Sequence, residues 1–349
     1  MEKTDNMCVL IMAGGIGTRF WPKSTEEKPK QFISLLEERT MIQITVDRIK
    51  KILPIEKIFI STGKRYINLV KEQLPDLPDN NIIVEPIGRN TAPCILLSTL
   101  YIKEIYGDCN IAVLPSDHLI QNVEVFLETL KIANNFVTQT HKSIVTIGIT
   151  PDRPETGYGY IKFNKEDKNK VVKVDRFVEK PNFEKAKEYL DSKEYLWNAG
   201  MFIFNAEYML NELESNYKNT NKLFKNLPSI KAENYHEKLN EIYPKSDSIS
   251  IDYAVMERSK NIYVIPSDFG WDDIGTWKSL ERYIEKDQKN NICKGHIEMS
   301  NTTDCTIYAQ DKKIILVDVE DLFVIDSDDA IVVCKKDSIN KVKDFRTEK

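Results

Sequence analysis

The sequence lacks the features that mark several large protein classes. Its 49 Lys and Arg residues are outnumbered by 54 Asp and Glu residues, so it has no basic excess with which to bind a long nucleic acid. No apolar run approaches the roughly 20 residues of a membrane-spanning helix, and the N-terminal segment is not built like a secretory signal. We expect no nucleic-acid or membrane partner, whereas a small anion held by a few cations remains open.

Disulfide and zinc patterns are also missing. The six cysteines are scattered, none of them forms a CxxC pair, and the chain has four histidines. This pattern argues against a zinc cluster and favours reduced thiols. Because reduced thiols are typical of the cytoplasm, we expect a cytoplasmic protein.

The first 150 residues alternate between strand and helix patterns. The predicted buried strands are 7–12, 57–61, 81–84, 110–114 and 144–149, and the predicted helices are 41–52, 64–74, 91–106 and 122–140. This alternation predicts an α/β fold with a Rossmann-like mixed, mostly parallel sheet flanked by helices. Ligands of such sheets bind at the carboxyl ends of the strands. From 151 to 285 the pattern is looser and predicts an elaboration of the same domain, with a strand at 201–204 and a helix at 253–259.

A small β-rich domain is predicted from residue 286 onward. Helical patterns stop there, and DVEDLFVI (318–325) is followed by the similar unit DSDDAIVV (326–333). Stacked rungs of a β-helix or a pair of hairpins would both produce such a repeat. We therefore divide the chain into a ligand-binding domain at 1–285 and a β-helix-like domain at 286–349.

The stretch LIMAGGIGTRFWP (10–22) is a candidate phosphate-binding loop. It has Thr18 and Arg19 where a Walker A loop has lysine and serine or threonine. Phe20 replaces the third glycine of the dinucleotide fingerprint, and the prolines at 22 and 29 argue against an immediate long helix. Two interpretations remain, namely a loop whose amides face phosphate oxygens with Arg19 as a clamp, or a tight turn that needs positive φ.

Two lysines follow this loop in KPKQF (28–32). Lys28 and Lys30 flank a proline, so we expect them to project from a stiff, extended segment. Cations beside a glycine loop indicate a triphosphate or a pair of phosphorylated ligands. Solvated surface lysines are the alternative.

Two acidic positions are candidate magnesium ligands. Asp117 follows the predicted strand 110–114 and lies on the ligand side of the sheet, although a loop cap would also explain it. Asp272 and Asp273 in GWDDIGTW (270–277) precede a helical pattern, so we expect one to be an N-cap and the other to complete the metal site. Spacing alone does not bring Asp117 and Asp273 together.

A set of motifs occurs in one order along the chain. These are GGIGTRFWP with KPKQF, EPIGRNTAP (85–93), LPSDH (114–118), TGYGYI (156–161), FVEKP (177–181), WNAGMFIF (197–204), SIDYAVME (250–257) and WDDIGTW (271–277). Together they resemble the mannose-1-phosphate guanylyltransferases, within the sugar-1-phosphate nucleotidyltransferases. The resemblance spans residues 7 to about 285, and the tail resembles the short β-helical ends of these enzymes.

The resemblance implies transfer of GMP from GTP to mannose 1-phosphate with Mg²⁺ as cofactor. The implied nucleotide-binding residues are Gly14, Gly15, Gly17, Thr18, Arg19, Glu85, Arg89, Asn90 and Pro93. The implied sugar-phosphate residues are Gly159, Glu179, Lys180 and Asn198. The implied catalytic residues are Arg19, Lys30, Asp117 and Asp273, of which the last two bind the metal. We also expect a homo-oligomer, most simply a dimer.

The chain departs from the family pattern at three positions. Phe20 stands where leucine is common, Ala199 where serine is common, and Cys94 where alanine is common. These are compact or apolar exchanges that remove no charge from the implied chemistry.

Three alternative functions differ in what they require of these residues. A transferase for another sugar or base would keep the same loop, metal ligands and lysines. A sensor that only binds a sugar nucleotide would be expected to lose a metal ligand or a reacting lysine. Here Arg19, Lys30, Asp117, Lys180 and Asp273 are all present, which favours an enzyme. A nicotinamide oxidoreductase is disfavoured because the dinucleotide fingerprint fails.

Overall fold

The computed structural model describes residues 6–15, 17–167 and 169–345, except for the side chain of Thr18. The chain forms two compact units. Gly14 and the described residues before it join Thr45–Asp272 in the first unit. The second unit combines Gly15–Ile44 with Asp273 and the described residues after it. The predicted boundary between residues 285 and 286 stays a prediction.

The first unit is built on eleven strands and eight α-helices among the residues described. The strands are β1 (Met7–Met12), β2 (Ile58–Gly63), β3 (Ile82–Glu85), β4 (Asn110–Pro115), β5 (Leu119–Ile120), β6 (Ile144–Ile149), β7 (Tyr160–Phe163), β8 (Val172–Val178), β9 (Tyr195–Asn205), β10 (Ile262–Ser267) and β11 (Trp271–Asp272). The helices are α1 (Met41–Lys50), which begins in the second unit, α2 (Ile67–Gln73), α3 (Thr91–Tyr106), α4 (Val123–Thr140), α5 (Phe183–Ser192), α6 (Ala206–Asn216), α7 (Lys218–Phe224) and α8 (Tyr235–Ile242).

Nine of these strands form one mixed sheet in the order β3-β2-β1-β4-β9-β6-β10-β8-β7, and β5 pairs with β11. The pairings β1–β2, β1–β4, β2–β3 and β6–β10 are parallel. The strands β9 and β8 run against their neighbours. The apolar strands β1, β4 and β6 are buried along nearly their whole length, as expected for parallel strands covered on both faces. The predicted fold class is confirmed.

Most elements lie where the sequence pattern predicts them. The structure has β1 at 7–12, β6 at 144–149 and α3 at 91–106, as predicted. The strand predicted at 201–204 is longer, because β9 runs from Tyr195 to Asn205 and includes the WNAG motif. The helix predicted at 253–259 is instead a short π-helical turn, Asp252–Met256.

The tail of the second unit is a small coil of parallel strands, called the β-coil below. The helix α9 (Trp277–Leu280) precedes it, and its strands are β12 (Ile292–Lys294), β13 (Ile297–Ser300), β14 (Thr306–Tyr308), β15 (Ile314–Val317), β16 (Leu322–Asp326) and β17 (Ile331–Lys335). The wall β12-β14-β16 and the wall β13-β15 are both parallel. Cys305, Ile307 and Val324 are buried in the cluster between them.

The eight-residue repeat is the hairpin of β16 and β17, which pair antiparallel. The rungs of the coil follow a longer spacing, since Ile292 pairs with Thr306 and Thr306 with Phe323. The expectation that helical structure stops near residue 286 is wrong, because a 3-10 helix occupies Lys336–Phe345. Among the described residues, no helix combines the length and the apolar character needed to span a membrane.

Candidate functional site

The glycine loop follows β1 and leads into a short 3-10 turn, Thr18–Phe20, rather than a long helix. Gly17 has φ of +54°, and a Cβ atom placed on it would lie 2.7 Å from the main-chain nitrogen of Lys30. Gly17 therefore supplies both a left-handed conformation and room for the chain beside it. A Cβ on Gly15 would meet no described atom within 4 Å, so the loop is open at that position.

Lys30 is the second cation predicted to act at this loop. It begins a 3-10 turn, Lys30–Phe32, and is 5% exposed. The expectation that it projects from an extended segment is wrong, because the turn after Pro29 directs its side chain inward. Its ammonium group donates a hydrogen bond to the main-chain carbonyl of Asp273 and lies 5.9 Å from the centre of the Phe20 ring.

Arg19 and Asp273 approach each other at Gly275. A Cβ atom on Gly275 would lie 3.3 Å from Nη1 of Arg19 and 3.2 Å from Oδ2 of Asp273. Ile274, which lies between Asp273 and Gly275 in the sequence, has φ of +40°, a strained value for a β-branched residue. The second unit therefore brings together three of the predicted catalytic residues, Arg19, Lys30 and Asp273.

The expected N-cap at Asp272 or Asp273 is wrong. Thr276 caps α9, accepting from the main-chain nitrogen of Ser279, while the Ser279 hydroxyl accepts from the nitrogen of Thr276. Asp272 lies four residues earlier, in β11, and is fully buried. Its carboxylate pairs with Arg153 at 3.3 Å.

Asp117 lies between β4 and β5, at the carboxyl end of a central strand as predicted. The strand β5 pairs antiparallel with β11, so that Leu119 lies opposite Asp272. Nδ1 of the neighbouring His118 accepts a hydrogen bond from Nε1 of Trp271 at 3.0 Å. Asp117 thus comes two residues before one strand of this ladder, and Asp273 directly follows the other.

Glu85 ends β3 and is buried. Its carboxylate accepts hydrogen bonds from the Ser61 hydroxyl at 3.0 Å and from the Tyr243 hydroxyl. Burial raises the pKa of Glu85, while the hydrogen bonds from Tyr243 and Ser61 oppose this shift. A Cβ on Gly14 would lie 3.4 Å from the carboxylate, so Glu85 lies beneath the start of the glycine loop.

The rest of the EPIGRNTAP motif forms the start of α3. Asn90, with φ of +68°, is the N-cap, and its side chain accepts from the main-chain nitrogen of Thr91 at 2.8 Å. Arg89 donates to the main-chain carbonyl of Pro244, and Pro93 is buried in the first turn. The side chain of Thr18, also predicted to contact the nucleotide, lies outside the described residues.

The four predicted sugar-phosphate residues come together in the first unit. The main-chain nitrogen of Asn198 donates to the carbonyl of Gly159 at 2.8 Å. A Cβ on Gly159 would lie 2.7 Å from Oε2 of Glu179, so glycine is needed for this close approach. Lys180 pairs with Glu179 at 2.5 Å, a contact that raises the pKa of the lysine, and its side chain is 62% exposed.

The structure adds two residues to this region that sequence reasoning missed. Oδ1 of Asp252 accepts from Nδ2 of Asn198 at 2.8 Å. The guanidinium of Arg153 lies 4.7 Å from the centre of the Trp197 ring while it pairs with Asp272. The SIDYAVME motif contained the signal for Asp252, whereas Arg153 had no comparable signal.

Comparisons with known proteins identify families that match both parts of the chain. Residues 8–290 match the nucleotidyl transferase family, and residues 284–346 match the family described as a MannoseP isomerase/GMP-like beta-helix domain. A mannose-1-phosphate guanylyltransferase of Salmonella muenchen is 39% identical over 96% of this chain and 71% of its own length. One from Escherichia coli is 36% identical over 96% of this chain and 74% of its own length.

A solved structure is similar over nearly the whole chain. The Thermus thermophilus protein named as a mannose-1-phosphate geranyltransferase is 30% identical, with a TM-score of 0.86 over 97% of this chain and 98% of that one. The chain belongs to the mannose-1-phosphate guanylyltransferases, a family of nucleotidyl transferase enzymes.

Proposed function

We propose that the chain transfers GMP from GTP to mannose 1-phosphate, forming GDP-mannose and pyrophosphate. The observation that carries the proposal is the convergence of Arg19, Lys30 and Asp273 beside a glycine loop that is open at Gly15. The names of the Salmonella muenchen and Escherichia coli relatives support the same reaction.

The proposed reaction needs no catalytic base. A sugar phosphate has a second pKa of about 6, so its oxygen is already an ionised nucleophile near neutral pH. This oxygen attacks the α-phosphorus of GTP, and a new P–O bond forms as the bond to the β-phosphate oxygen breaks. Pyrophosphate leaves with the electron pair. Because two anions must meet in line, catalysis depends mainly on positioning and charge neutralisation.

The nucleotide side of the proposed site contains the glycine loop and its cations. The amides of Gly14, Gly15 and Gly17 face the triphosphate, and Arg19 and Lys30 neutralise its charge. The segment with Glu85, Arg89, Asn90 and Pro93 contacts the nucleoside.

The sugar side uses the group around Glu179. Lys180 binds the sugar phosphate, and its side chain, although paired with Glu179, is 62% exposed. The Glu179 carboxylate and the Asn198 amide contact sugar hydroxyls, and Gly159 offers a main-chain contact.

Asp117 and Asp273 would hold Mg²⁺. Two carboxylates fit this ion, which usually takes one or two protein carboxylates and completes its shell with water and substrate phosphates. The described residues contain no group of three or more His, Cys, Asp or Glu side chains arranged for a metal. When bound, Mg²⁺ would neutralise charge at the α-phosphate.

A pyrophosphate-release assay across four nucleoside triphosphates and several sugar 1-phosphates tests the proposal. We expect the highest rate with GTP and mannose 1-phosphate, and no rate without Mg²⁺. Preference for UTP or dTTP, or for glucose 1-phosphate, would instead assign a different sugar nucleotidyltransferase. Absence of turnover with every pair, together with tight binding of GDP-mannose, would identify a sensor.

We also propose that the protein is a cytoplasmic homodimer. The buried free thiols of Cys8, Cys94, Cys109 and Cys305 support a reducing compartment. Light scattering coupled to size-exclusion chromatography measures the mass of the assembly, and a mass of about 40 kDa, that of a single chain, would contradict the dimer.

A further inference from the structure

We propose that Asp252 is a positioning residue that fixes the side-chain amide of Asn198 for sugar recognition. This inference rests on the proposed function, because it assigns Asn198 to the sugar side of the site. It gives a role to SIDYAVME, a motif to which the chemistry described so far assigns no part.

Asp252 is held in place from both directions along the chain. It begins the π-helical turn Asp252–Met256, in which its main-chain carbonyl accepts from the nitrogen of Glu257 at 2.9 Å. The preceding residue is anchored to the start of α3, because the nitrogen of Ile251 donates to the Thr91 hydroxyl at 2.8 Å. Single π-helical turns occur frequently at functional sites.

The contacts of Asn198 define which way its amide faces. Nδ2 donates to Oδ1 of Asp252 at 2.8 Å, and Oδ1 accepts from the main-chain nitrogen of Gly200 at 3.1 Å. A carboxylate only accepts and a peptide nitrogen only donates, so the two partners together exclude the flipped amide. Without Asp252, the amide would keep a single contact and would be free to rotate away from Gly159 and Glu179.

The electrostatic setting argues against a purely structural role for this carboxylate. Burial raises the pKa of Asp252, and the nearby charge of Glu179 raises it further, against the hydrogen bond from Asn198. A half-buried carboxylate beside another carboxylate costs stability, and an apolar side chain would avoid that cost. The position is therefore better explained by the amide that it holds.

The experiment compares variants in the pyrophosphate-release assay with GTP and mannose 1-phosphate. We expect Asp252→Ala to raise the KM for mannose 1-phosphate tenfold or more, with a smaller change in kcat and an unchanged KM for GTP. Asp252→Asn should stay within about threefold of the unaltered protein, because its side-chain oxygen still accepts from Asn198. Glu257→Gln is the matched control, since Glu257 lies in the same electrostatic neighbourhood and is exposed; it should leave both KM values unchanged.

A double variant tests whether Asp252 acts through Asn198. Asn198→Ala combined with Asp252→Ala should be no worse than Asn198→Ala alone. The proposal is overturned by an unchanged KM in Asp252→Ala, by an Asp252→Asn variant as impaired as Asp252→Ala, or by losses that multiply in the double variant. If Asp252→Ala does not fold, Asp252→Asn carries the test. A KM for mannose 1-phosphate within about threefold of the unaltered protein supports the proposal, whereas a large rise would show that the negative charge itself is required. Lack of turnover by the unaltered protein would instead refute the proposed function.

Discussion

Gly15 and Gly17 belong to one loop, yet they need the absence of a side chain for different reasons. Gly17 has positive φ and lies against the main chain of Lys30. Gly15 faces open space among the described residues, and its carbonyl is held by Nε2 of Gln31 at 3.0 Å. One glycine therefore shapes the loop, and the other leaves room for what approaches it.

This difference predicts that alanine at Gly17 lowers stability, whereas alanine at Gly15 weakens GTP binding. Gly17→Ala should lower the free energy of unfolding by about 1–3 kcal/mol, because alanine at positive φ is strained and its Cβ would contact Lys30. Gly15→Ala should change stability by less than about 0.5 kcal/mol, as is usual away from such features, while raising the KM for GTP. Urea unfolding and steady-state kinetics measure the two effects. Equal stability of the two variants would contradict this assignment.

Asp117 and Asp273 are predicted to act through one ion although 155 residues lie between them in the sequence. Replacing either with alanine should lower kcat by two to three orders of magnitude, since a group that stabilises developing charge contributes roughly 3 kcal/mol. The double variant should be scarcely worse than either single one, because each removes the same ion.

Binding of GTP in the absence of metal is the control for these variants and should change little. Multiplying losses would show that the two aspartates act separately. Loss of activity in Asp272→Ala but not in Asp273→Ala would show that the assignment of a shared ion to Asp117 and Asp273 is wrong.

At the scale of elements, the short strand β11 depends on a side chain from another segment. Arg153 pairs with the fully buried Asp272 of β11 and lies over the ring of Trp197 in β9. It also approaches Tyr158, whose ring contacts those of Trp197 and Trp271. This cluster joins the strand that precedes Asp273 to the strand that carries Asn198.

Arg153→Ala should therefore destabilise the protein by about 3 kcal/mol, because it removes the arginine that pairs with the fully buried carboxylate of Asp272. Adding Asp272→Asn should restore part of the loss, because the variant no longer buries a charge that has lost its arginine. Urea unfolding at neutral pH measures both variants. A double variant that is less stable than Arg153→Ala would show that the pair contributes little and that Asp272 has other essential contacts.

At the scale of the whole molecule, the second unit is built from stretches near both ends of the chain. Trp277 is buried, and its ring centre lies 5.2 Å from that of Phe20 and 5.1 Å from that of Tyr308. Its indole nitrogen donates to the main-chain carbonyl of Trp21 at 3.3 Å. The aromatic residues after the glycine loop thus pack with the β-coil, which gives the tail a structural role.

We predict that the tail stabilises the protein without supplying a catalytic group. Phe323→Ala, at a fully buried position, should cost about 3–5 kcal/mol and lower the thermal midpoint. Val333→Ala is the control, because its side chain is 60% exposed and its loss should have little effect. Removal of residues 286–349 should likewise lower the midpoint. A truncated protein that melts normally and keeps its oligomeric state, yet has lost all activity, would show that the tail supplies a group to the chemistry.

Most local elements and the residue types expected at the site could be predicted from the amino-acid sequence alone. The apolar runs located β1 and β6, and the helical pattern located α3, because periodicity is carried by neighbouring residues. The motifs likewise identified the glycine loop, its cations and the Glu179 and Lys180 pair.

Which of these residues contact one another depends on the tertiary structure and could not be predicted from the sequence. The bonds from Asn198 to Asp252 and from Trp271 to His118 span 54 and 153 positions, and they depend on the path of the chain through the sheet. The inward turn of Lys30 and the pairing of Arg153 with Asp272 likewise follow from packing. Local sequence patterns do not predict such contacts, because the free energy that selects them comes from burial and pairing between distant segments.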